Sequence, residues 1–511
     1  MSKAHSLIQE AMTALSELDP RSISRQDIQH TLGQVSGLAT NAAMIALEAG
    51  RTPFEALNAL EEARCIISGL SMNSNADISE LQQVNPELAC RYEGLRTRLS
   101  EVSSTMKTRG NYRDARIQQA EILRDISKTE AEIRTQRGWE SFQLPMTEEN
   151  IQSLASEGPI IVVNAAMLRC DAIVVTEKEI KTIPLPGMKY KDLERNISLF
   201  NRLGNETRRN ATPRIQRSSP SGALDGLLWL WKVAVQPILS NIELTSSKRV
   251  WWITTGLAGR APFHAAGDHS PGSQSNTHSQ VISSYISSFK ALRFARERLA
   301  VLPKINMLLV TMASNPGPHH DLNTSHEEKV TKEVFGDSME HLAHPDPKLV
   351  LKKLADYSVV HFACHGFSIA YDPSKSGLLL LARNGDEAIL SISDLEGVKL
   401  RSGAIAYLSA CSTAEQADGK LADEAIHLAN SFQALGFQHV IGTMWGADDI
   451  AAGAIAKAFY ARLFSSEDSM DGRVISSAKV ANALHEAVGD YMRSIRPGEV
   501  VKWAPFIHVG A

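Results

Sequence analysis

Two apolar segments in the second half of the sequence end in side chains that could work together as a nucleophile and a base. One is VVHFACHG at 359–366, which contains His365, and the other is YLSACST at 407–413, which contains Cys411. Each resembles an apolar strand followed by small or polar residues. Functional groups gather at the carboxyl ends of strands in an open parallel sheet. We therefore expect His365 and Cys411 to meet at one sheet edge, provided that the two strands are neighbours.

A thiol beside an imidazole suits nucleophilic attack on a peptide bond. A nearby imidazole lowers the thiol pKa from ~8.5 and so increases the fraction of reactive thiolate at neutral pH. Cys411 would attack the carbonyl, and His365 would donate a proton to the leaving amine. Gly366 has no side chain, so its N–H can approach the developing oxyanion together with the N–H of Cys411. Spacing alone leaves open that both residues are bystanders, because buried cysteines and loop histidines are common.

The other polar groups of these segments predict structural roles. On a helix His361 and His365 could share a metal ion, but on a strand they lie ~13 Å apart. The flanking residues favour a strand, so we expect His361 to be a hydrogen-bonded core histidine and Cys364 a small buried residue. The five cysteines lack metal-ligand spacing, and the sequence has no phosphate loop, dinucleotide loop, G-x-S-x-G or H-E-x-x-H. We expect no metal and no other cofactor.

The surrounding elements predict two kinds of structure. Residues 1–150 show helical periodicity, with one helix expected from Ile28 to Gly50 and a second stripe beginning near Pro53. Two β-branched runs, 159–164 and 171–176, predict a strand pair. From residue 224 onward, helices alternate with strands that are apolar on both faces. This pattern predicts an α/β domain with a largely parallel sheet flanked by helices.

Composition limits the classes of partner. Among 511 residues, 43% are apolar, 22% are charged, and the net charge is −4, so nothing demands nucleic acid or an anionic membrane. The arginines in 204–222 have no aromatic residues between them on which bases could stack, and we expect a solvated loop there. No window reaches ~18 uncharged apolar residues, and the N-terminus has no apolar signal region. We expect a cytoplasmic protein that does not insert into membranes.

The ordered motifs of the second half resemble a CHAT domain, the caspase-like domain that is associated with TPR repeats and related to separases and caspases. His365 precedes Cys411 by 46 residues, and caspases place the histidine about 50 residues before the cysteine. EALNALEEAR at 55–64 looks like the end of a TPR array. The matching segments are WITTG at 252–256, PFHAAG at 262–267, HFACHG at 361–366, SGLLLL at 376–381, LSACSTA at 408–414, HVIGTMWGADD at 439–449 and WAPF at 503–506.

The resemblance implies a cysteine endopeptidase of the caspase–separase clan, with His365 and Cys411 as its dyad. It also implies three parts: a TPR-like helical region at 1–150, a degenerate protease-like half at 158–320 and a catalytic half at 321–511. Its substrate would be a protein, and the helical region would bind a regulatory protein. His264, in the PFHAAG segment, has no cysteine nearby and is expected to be structural.

Specificity elements of the related proteases lie on loops after the cysteine strand and the next strand. Those loops hold four acidic residues here, and separase-like enzymes use such groups to bind a basic P1 side chain. The four are Asp418, Asp423, Asp448 and Asp449. Asp448 and Asp449 follow Trp445 in the matching place, although Asp423 and Asp449 also precede helices and could be N-caps.

Two other functions stay open from the sequence. A catalytically inactive CHAT scaffold could bind partners through its helices, and a buried, unreactive Cys411 would favour that alternative. A nucleotide-binding switch is the weakest alternative, because no phosphate loop is present.

Overall fold

The structure is a computed structural model. It describes residues 2–17, 25–74, 78–108, 112–209, 220–244, 246–297, 305–369, 372–395, 398, 400, 403–410, 413–414, 424, 427–464 and 475–511.

Twenty-one α-helices are found in the described ranges. They are α1 (Ser2–Glu17), α2 (Arg25–Gln34), α3 (Leu38–Glu48), α4 (Pro53–Glu62), α5 (Ile66–Ser74), α6 (Ser79–Val84), α7 (Pro86–Thr108), α8 (Tyr112–Ile133), α9 (Glu148–Ser153), α10 (Tyr190–Arg209), α11 (Pro220–Leu230), α12 (Gln236–Leu239), α13 (Thr277–Gln280), α14 (Phe289–Glu297), α15 (Ser325–Phe335), α16 (Pro347–Leu354), α17 (Ile392–Leu395), α18 (Leu428–Leu435), α19 (Asp449–Leu463), α20 (Ser477–Ser494) and α21 (Val500–Trp503).

Fourteen strands are found in the same ranges. They are β1 (Ile160–Ala165), β2 (Cys170–Val175), β3 (Ile180–Pro184), β4 (Arg249–Gly256), β5 (Ile282–Tyr285), β6 (Met307–Thr311), β7 (Met339–Ala343), β8 (Val359–Ala363), β9 (Gly366–Phe367), β10 (Gly377–Leu381), β11 (Glu387–Ser391), β12 (Ile405–Ser409), β13 (His439–Thr443) and β14 (Phe506–Gly510).

Eleven strands form one large sheet in the order β3-β2-β1-β4-β5-β14-β13-β12-β8-β6-β7. The pairs among β1, β4, β5 and β14 are parallel, and so are those among β13, β12, β8, β6 and β7. These two parallel blocks run in opposite directions, because β13 and β14 pair antiparallel where the blocks meet. The antiparallel strands β2 and β3 extend one edge. The predicted α/β class and the β1–β2 strand pair are therefore confirmed.

Apart from the edge strands β3 and β7, the strands of the large sheet are largely buried on both faces, as their continuous apolar runs predict. In β1, Ile160 and Val162 pack into a core shared with α3, α4 and α14, while Ile161 and Val163 pack into the core of the opposite face. Helices α3 and α4 therefore pack directly on the sheet. Helices α6, α7 and α8 form a separate apolar cluster of their own.

The predicted single helix from Ile28 to Gly50 is wrong, because the chain forms α2 and α3 with a break between them. Gly37 at the break has φ +76°, a left-handed conformation that glycine adopts at little cost and that ends a helix. The predicted loop at 204–222 is also partly wrong, because 204–209 complete α10 and 220–222 begin α11. Its residues 210–219 lie outside the described ranges. No helix in the described ranges is long and apolar enough to span a membrane.

Candidate active site

His365 lies just beyond the carboxyl end of β8, at the edge of the large sheet. Strand β8 pairs in parallel with β12, and Ala363 is aligned with Ser409 at the ends of the two strands. The expectation that the two motif strands are neighbours is therefore confirmed. The His365 side chain is nearly buried, with 6% of the residue exposed.

A backbone carbonyl orients the His365 ring. Nε2 lies 2.8 Å from the carbonyl oxygen of His320, which can only accept, so Nε2 carries the proton that is donated. In a neutral ring with that tautomer, Nδ1 is the basic nitrogen. The rings of His320 and His319 pack at centroid distances of 4.8 and 5.5 Å from the His365 ring. These contacts restrict the imidazole to one orientation.

Gly366 begins the short strand β9 of a separate three-stranded sheet, in which β9 pairs antiparallel with β10. The His365 carbonyl accepts the N–H of Leu379, so these two residues form a hydrogen-bonded pair. Hydrogen-bonded and non-hydrogen-bonded pairs alternate along an antiparallel ladder, and Gly366 faces Leu378 at the next position. The N–H of Gly366 therefore points away from β10, as an oxyanion donor requires.

Cys411 itself lies outside the described residues, but the described chain on either side of it is fixed by Thr443 at the end of β13. The Thr443 hydroxyl donates to the carbonyl of Ala410 at 2.7 Å. The Thr443 N–H donates to Oγ1 of Thr413 at 2.9 Å, and its carbonyl accepts the N–H of Ala414 at 2.9 Å. Thr413 and Thr443 are both fully buried. Ala410, Thr413 and Ala414, the described residues that flank 411–412, thus all contact Thr443.

His361 has the structural role that its strand position predicts. Its ring is fully buried, with Nδ1 2.9 Å from the Tyr460 hydroxyl and Nε2 3.1 Å from Oε1 of Glu327. It also stacks on the Tyr407 ring at 4.7 Å and 6°. These contacts join β8 and β12 to α15 and α19 beneath the sheet edge. Cys364 is buried, as expected.

His264, which the sequence analysis excluded as a catalytic base, has a structural role as well. Its Nδ1 lies 2.9 Å from the Tyr285 hydroxyl, and its Nε2 lies 2.8 Å from the carbonyl oxygen of Ala504. Burial lowers the pKa of His264 to about 4. The ring is therefore held neutral, away from β8 and β12.

Two of the four acidic residues lie in the described chain, at the start of α19. Asp448 is the N-cap, and its side chain accepts the N–H of Ala451 at 3.0 Å. Asp449 lines a small cavity with Glu327, Cys364 and Ser409, beside the ends of β8 and β12. Burial raises the pKa of Asp449, although the N–H of Asn323, 3.3 Å from its Oδ2, acts in the opposite direction. Asp418 and Asp423 lie outside the described residues.

Sequence reasoning missed three groups of the candidate site. They are the His320 carbonyl that orients His365, Thr443 with its contacts to Ala410, Thr413 and Ala414, and the Glu327 carboxylate beside His361. A backbone carbonyl has no sequence signature, and Thr443 looks like an ordinary strand residue. Glu327 lies on an amphipathic helix, where a carboxylate is normally solvated. Within the described ranges, no group of three or more ligating side chains could hold a metal ion.

The fold and the position of this site define a caspase-like α/β protein preceded by an all-helical region. Residues 225–511 match the CHAT domain family, and because this is more than half of the chain, the protein belongs to that family. A search of curated proteins finds no match.

Among solved structures, the chain is similar to Saccharomyces cerevisiae separase in two crystal structures of the separase–securin complex. The TM-scores are 0.57 and 0.56 at 10% identity, and the alignments cover 99% of this chain but 40% and 37% of separase. The chain thus spans about 40% of that relative's length. The Arg-specific cysteine proteinase gingipain R matches with a TM-score of 0.36 at 12% identity, over 63% of this chain and 75% of its own.

Proposed function

We propose that the protein is a cytoplasmic cysteine endopeptidase that cleaves a protein substrate through an acyl-enzyme formed on Cys411. The observation that supports this most is the alignment of Ala363 with Ser409 at the ends of neighbouring parallel strands. His365 and Cys411 each follow these aligned residues by two positions. Adjacent strands lie about 4.8 Å apart and each chain step is about 3.8 Å, so a thiol and an imidazole can come within reach there.

In the proposed reaction, the Cys411 thiolate attacks the carbonyl carbon, and the carbonyl electrons move to the oxygen. The Gly366 N–H would donate to this oxyanion. Collapse of the intermediate breaks the C–N bond, and the amine leaves with a proton from the His365 imidazolium. A water molecule then gives a proton to His365 Nδ1 and attacks the thioester, which releases the acid and restores the thiolate.

Asp449 is our first candidate for binding a basic P1 side chain. It lines the small cavity next to β8 and β12, where a carboxylate can form a charge-assisted hydrogen bond with a cationic side chain. Asp448 is adjacent, but its carboxylate already caps α19. Asp418 and Asp423 remain candidates from the sequence alone.

We further propose that the helical region, including its TPR-like hairpins, binds a regulatory protein. The separase to which the chain is similar was crystallised in complex with securin. The alignment with that structure covers 99% of this chain and so includes the helical region. Within the helical region, the α6–α8 cluster has its own core and does not share the core of the sheet.

The test is the rate at which an iodoacetamide probe labels Cys411 across pH. Burial raises the thiol pKa of Cys65 and Cys170 to about 12, and Cys364 is also buried, whereas Cys90 is exposed, so a Cys90→Ser background isolates the signal. We expect rapid labelling at neutral pH that slows about tenfold or more in His365→Ala. Cys411→Ala supplies the blank.

A peptide library then tests the chemistry and the P1 preference. We expect Cys411-dependent cleavage after Arg or Lys. Slow labelling of Cys411 at the same rate in the wild type and in His365→Ala, together with no cleavage of any peptide, would contradict the proposal and favour an inactive scaffold.

A further inference from the structure

A buried carboxylate connects the chain downstream of Cys411 to the helical region. Glu424 is only 2% exposed, and its two oxygens accept the backbone N–H groups of Ile66 at 3.2 Å and Ile67 at 2.9 Å. These are the first two residues of α5, and the first amides of a helix have no partner within the helix. The carboxylate therefore satisfies two donors and lies at the positive end of the helix dipole.

Helix α5 belongs to the helical region on its other side. Ile67 packs with Ile28 and Leu32 of α2 in a small apolar cluster. Before the helix, Cys65 has φ +53°, so the chain changes direction between α4 and α5. The Cys65 thiol also donates to the carbonyl of Ser287 at 3.5 Å. Movement of α2 would therefore be transmitted to the end of α5 that contacts Glu424.

On the active-site side, Glu424 is one of several fixed points along the chain that follows Cys411. Upstream, Thr443 anchors Thr413 and Ala414. Downstream, the His427 ring accepts the N–H of Asn430 and caps α18, whose N–H at residue 429 donates to the Thr413 carbonyl. Helix α18 itself packs against α5 and α14. Of the residues between 410 and 430 that the structure describes, Thr413 and Ala414 thus contact β13, residue 429 of α18 contacts Thr413, and Glu424 contacts the helical region.

We propose that Glu424 is a positioning residue: by binding the N-terminus of α5, it allows the helical region to set the reactivity of Cys411. This inference rests on the proposed function, because it assigns the regulation of the same site. A protein partner that displaces α5 would take two hydrogen bonds from a buried carboxylate, which is a costly change. Displacing α5 would also remove its packing on α18, whose N–H at residue 429 donates to the carbonyl of Thr413, two residues after Cys411.

Glu61 provides a matched control in the same interface. Glu61 lies on α4 with 15% of its side chain exposed, and its Oε2 accepts the N–H of Phe289 at 3.0 Å, at the first residue of α14. Arg64 lies 3.3 Å from its other oxygen. Glu61 therefore caps a helix as Glu424 does, but in the described ranges its hydrogen bonds go to Arg64 and Phe289, not to the chain that follows Cys411.

The experiment compares Glu424→Gln with Glu61→Gln in the full chain, in the Cys90→Ser background. A glutamine keeps the size, but its NH₂ cannot accept an N–H, so one of the two hydrogen bonds and the charge are lost. The readouts are Cys411 alkylation and hydrogen exchange of peptides covering 403–430 and 63–74. For Glu424→Gln we expect about tenfold slower alkylation and about tenfold faster exchange in both peptides. For Glu61→Gln we expect lower stability, with wild-type alkylation and wild-type exchange at 403–430.

Three results would overturn the inference. Unchanged exchange at 403–430 in Glu424→Gln would show that the carboxylate does not hold this chain. Equal slowing of alkylation in Glu61→Gln would show a general loss of stability. Faster exchange without slower alkylation would show that docking does not control the thiol. If Cys411 is alkylated as fast in His365→Ala as in the wild type, the proposed function fails. Hydrogen exchange at 403–430 in Glu424→Gln and Glu61→Gln still decides whether Glu424 holds this part of the chain.

Discussion

Thr443 makes a sharp prediction, because it contacts described residues on both sides of Cys411. Only one of its three hydrogen bonds depends on the Thr443 side chain, the donation to the Ala410 carbonyl at 2.7 Å. Thr443→Val removes that donor and keeps the branched shape. The backbone contacts to Thr413 and Ala414 are retained. The substitution therefore tests one hydrogen bond in an otherwise unchanged strand.

The expected magnitude follows from the burial of the carbonyl that loses its partner. Ala410 is 2% exposed, and leaving a buried acceptor unsatisfied costs about 1–3 kcal/mol. If this free energy disfavours the reactive position of Cys411, the next residue, the population of that position falls by about 5–150-fold. We expect His365-dependent alkylation of Cys411 to slow within that range. Thr443→Ser keeps the hydroxyl and should restore most of the rate.

Thr255→Val is the matched control for this prediction. Thr255 is also fully buried near the end of a strand of the same sheet, and its hydroxyl lies 2.9 Å from Oδ1 of Asn164. It does not contact the chain around Cys411. We expect Thr255→Val to lower the unfolding free energy without slowing alkylation. The reasoning would be refuted if Thr443→Val alkylated at the wild-type rate, or if Thr255→Val slowed the reaction equally.

Three further predictions concern pH, specificity and the core. Burial lowers the pKa of His427 to about 4, so the unfolding free energy should fall as pH drops from about 6.5 toward 4. His427→Asn can still accept the N–H of Asn430, and it should reduce the pH slope of the unfolding free energy by about 1.4 kcal/mol per pH unit in urea unfolding. An unchanged slope would contradict this. Burial raises the pKa of Asp449, so KM for a peptide with Arg at P1 should fall as pH rises through that pKa. Asp449→Asn should raise KM about tenfold and abolish its pH dependence. A change in kcat alone would exclude a P1 role. His361→Phe should cost about 1–3 kcal/mol in urea unfolding, because it leaves the Glu327 carboxylate buried without this hydrogen-bond partner. An unchanged unfolding free energy would refute the pairing.

Much of the fold could be predicted because local sequence patterns specify it. Apolar runs such as 359–363 and 405–409 are strands, and their position in the large sheet agrees with their apolar character on both faces. The structural role of His361 also followed from its strand context, and that of His264 from the lack of a cysteine in its segment. The break at Gly37 was missed because the apolar stripe continues across it, and periodicity does not report backbone dihedral angles.

By itself, the sequence determined the class of the fold, the two strands that precede His365 and Cys411, and the residue types available for chemistry. Tertiary structure alone decided which strands are neighbours, because register and strand order depend on packing between segments that are distant along the chain. It also decided that the His320 carbonyl orients His365 and that Thr443 anchors the chain around Cys411. The contact of Glu424 with α5 spans more than 350 residues of sequence. Such contacts leave no local pattern, because any buried donor can satisfy a carboxylate and only the folded chain selects which one does.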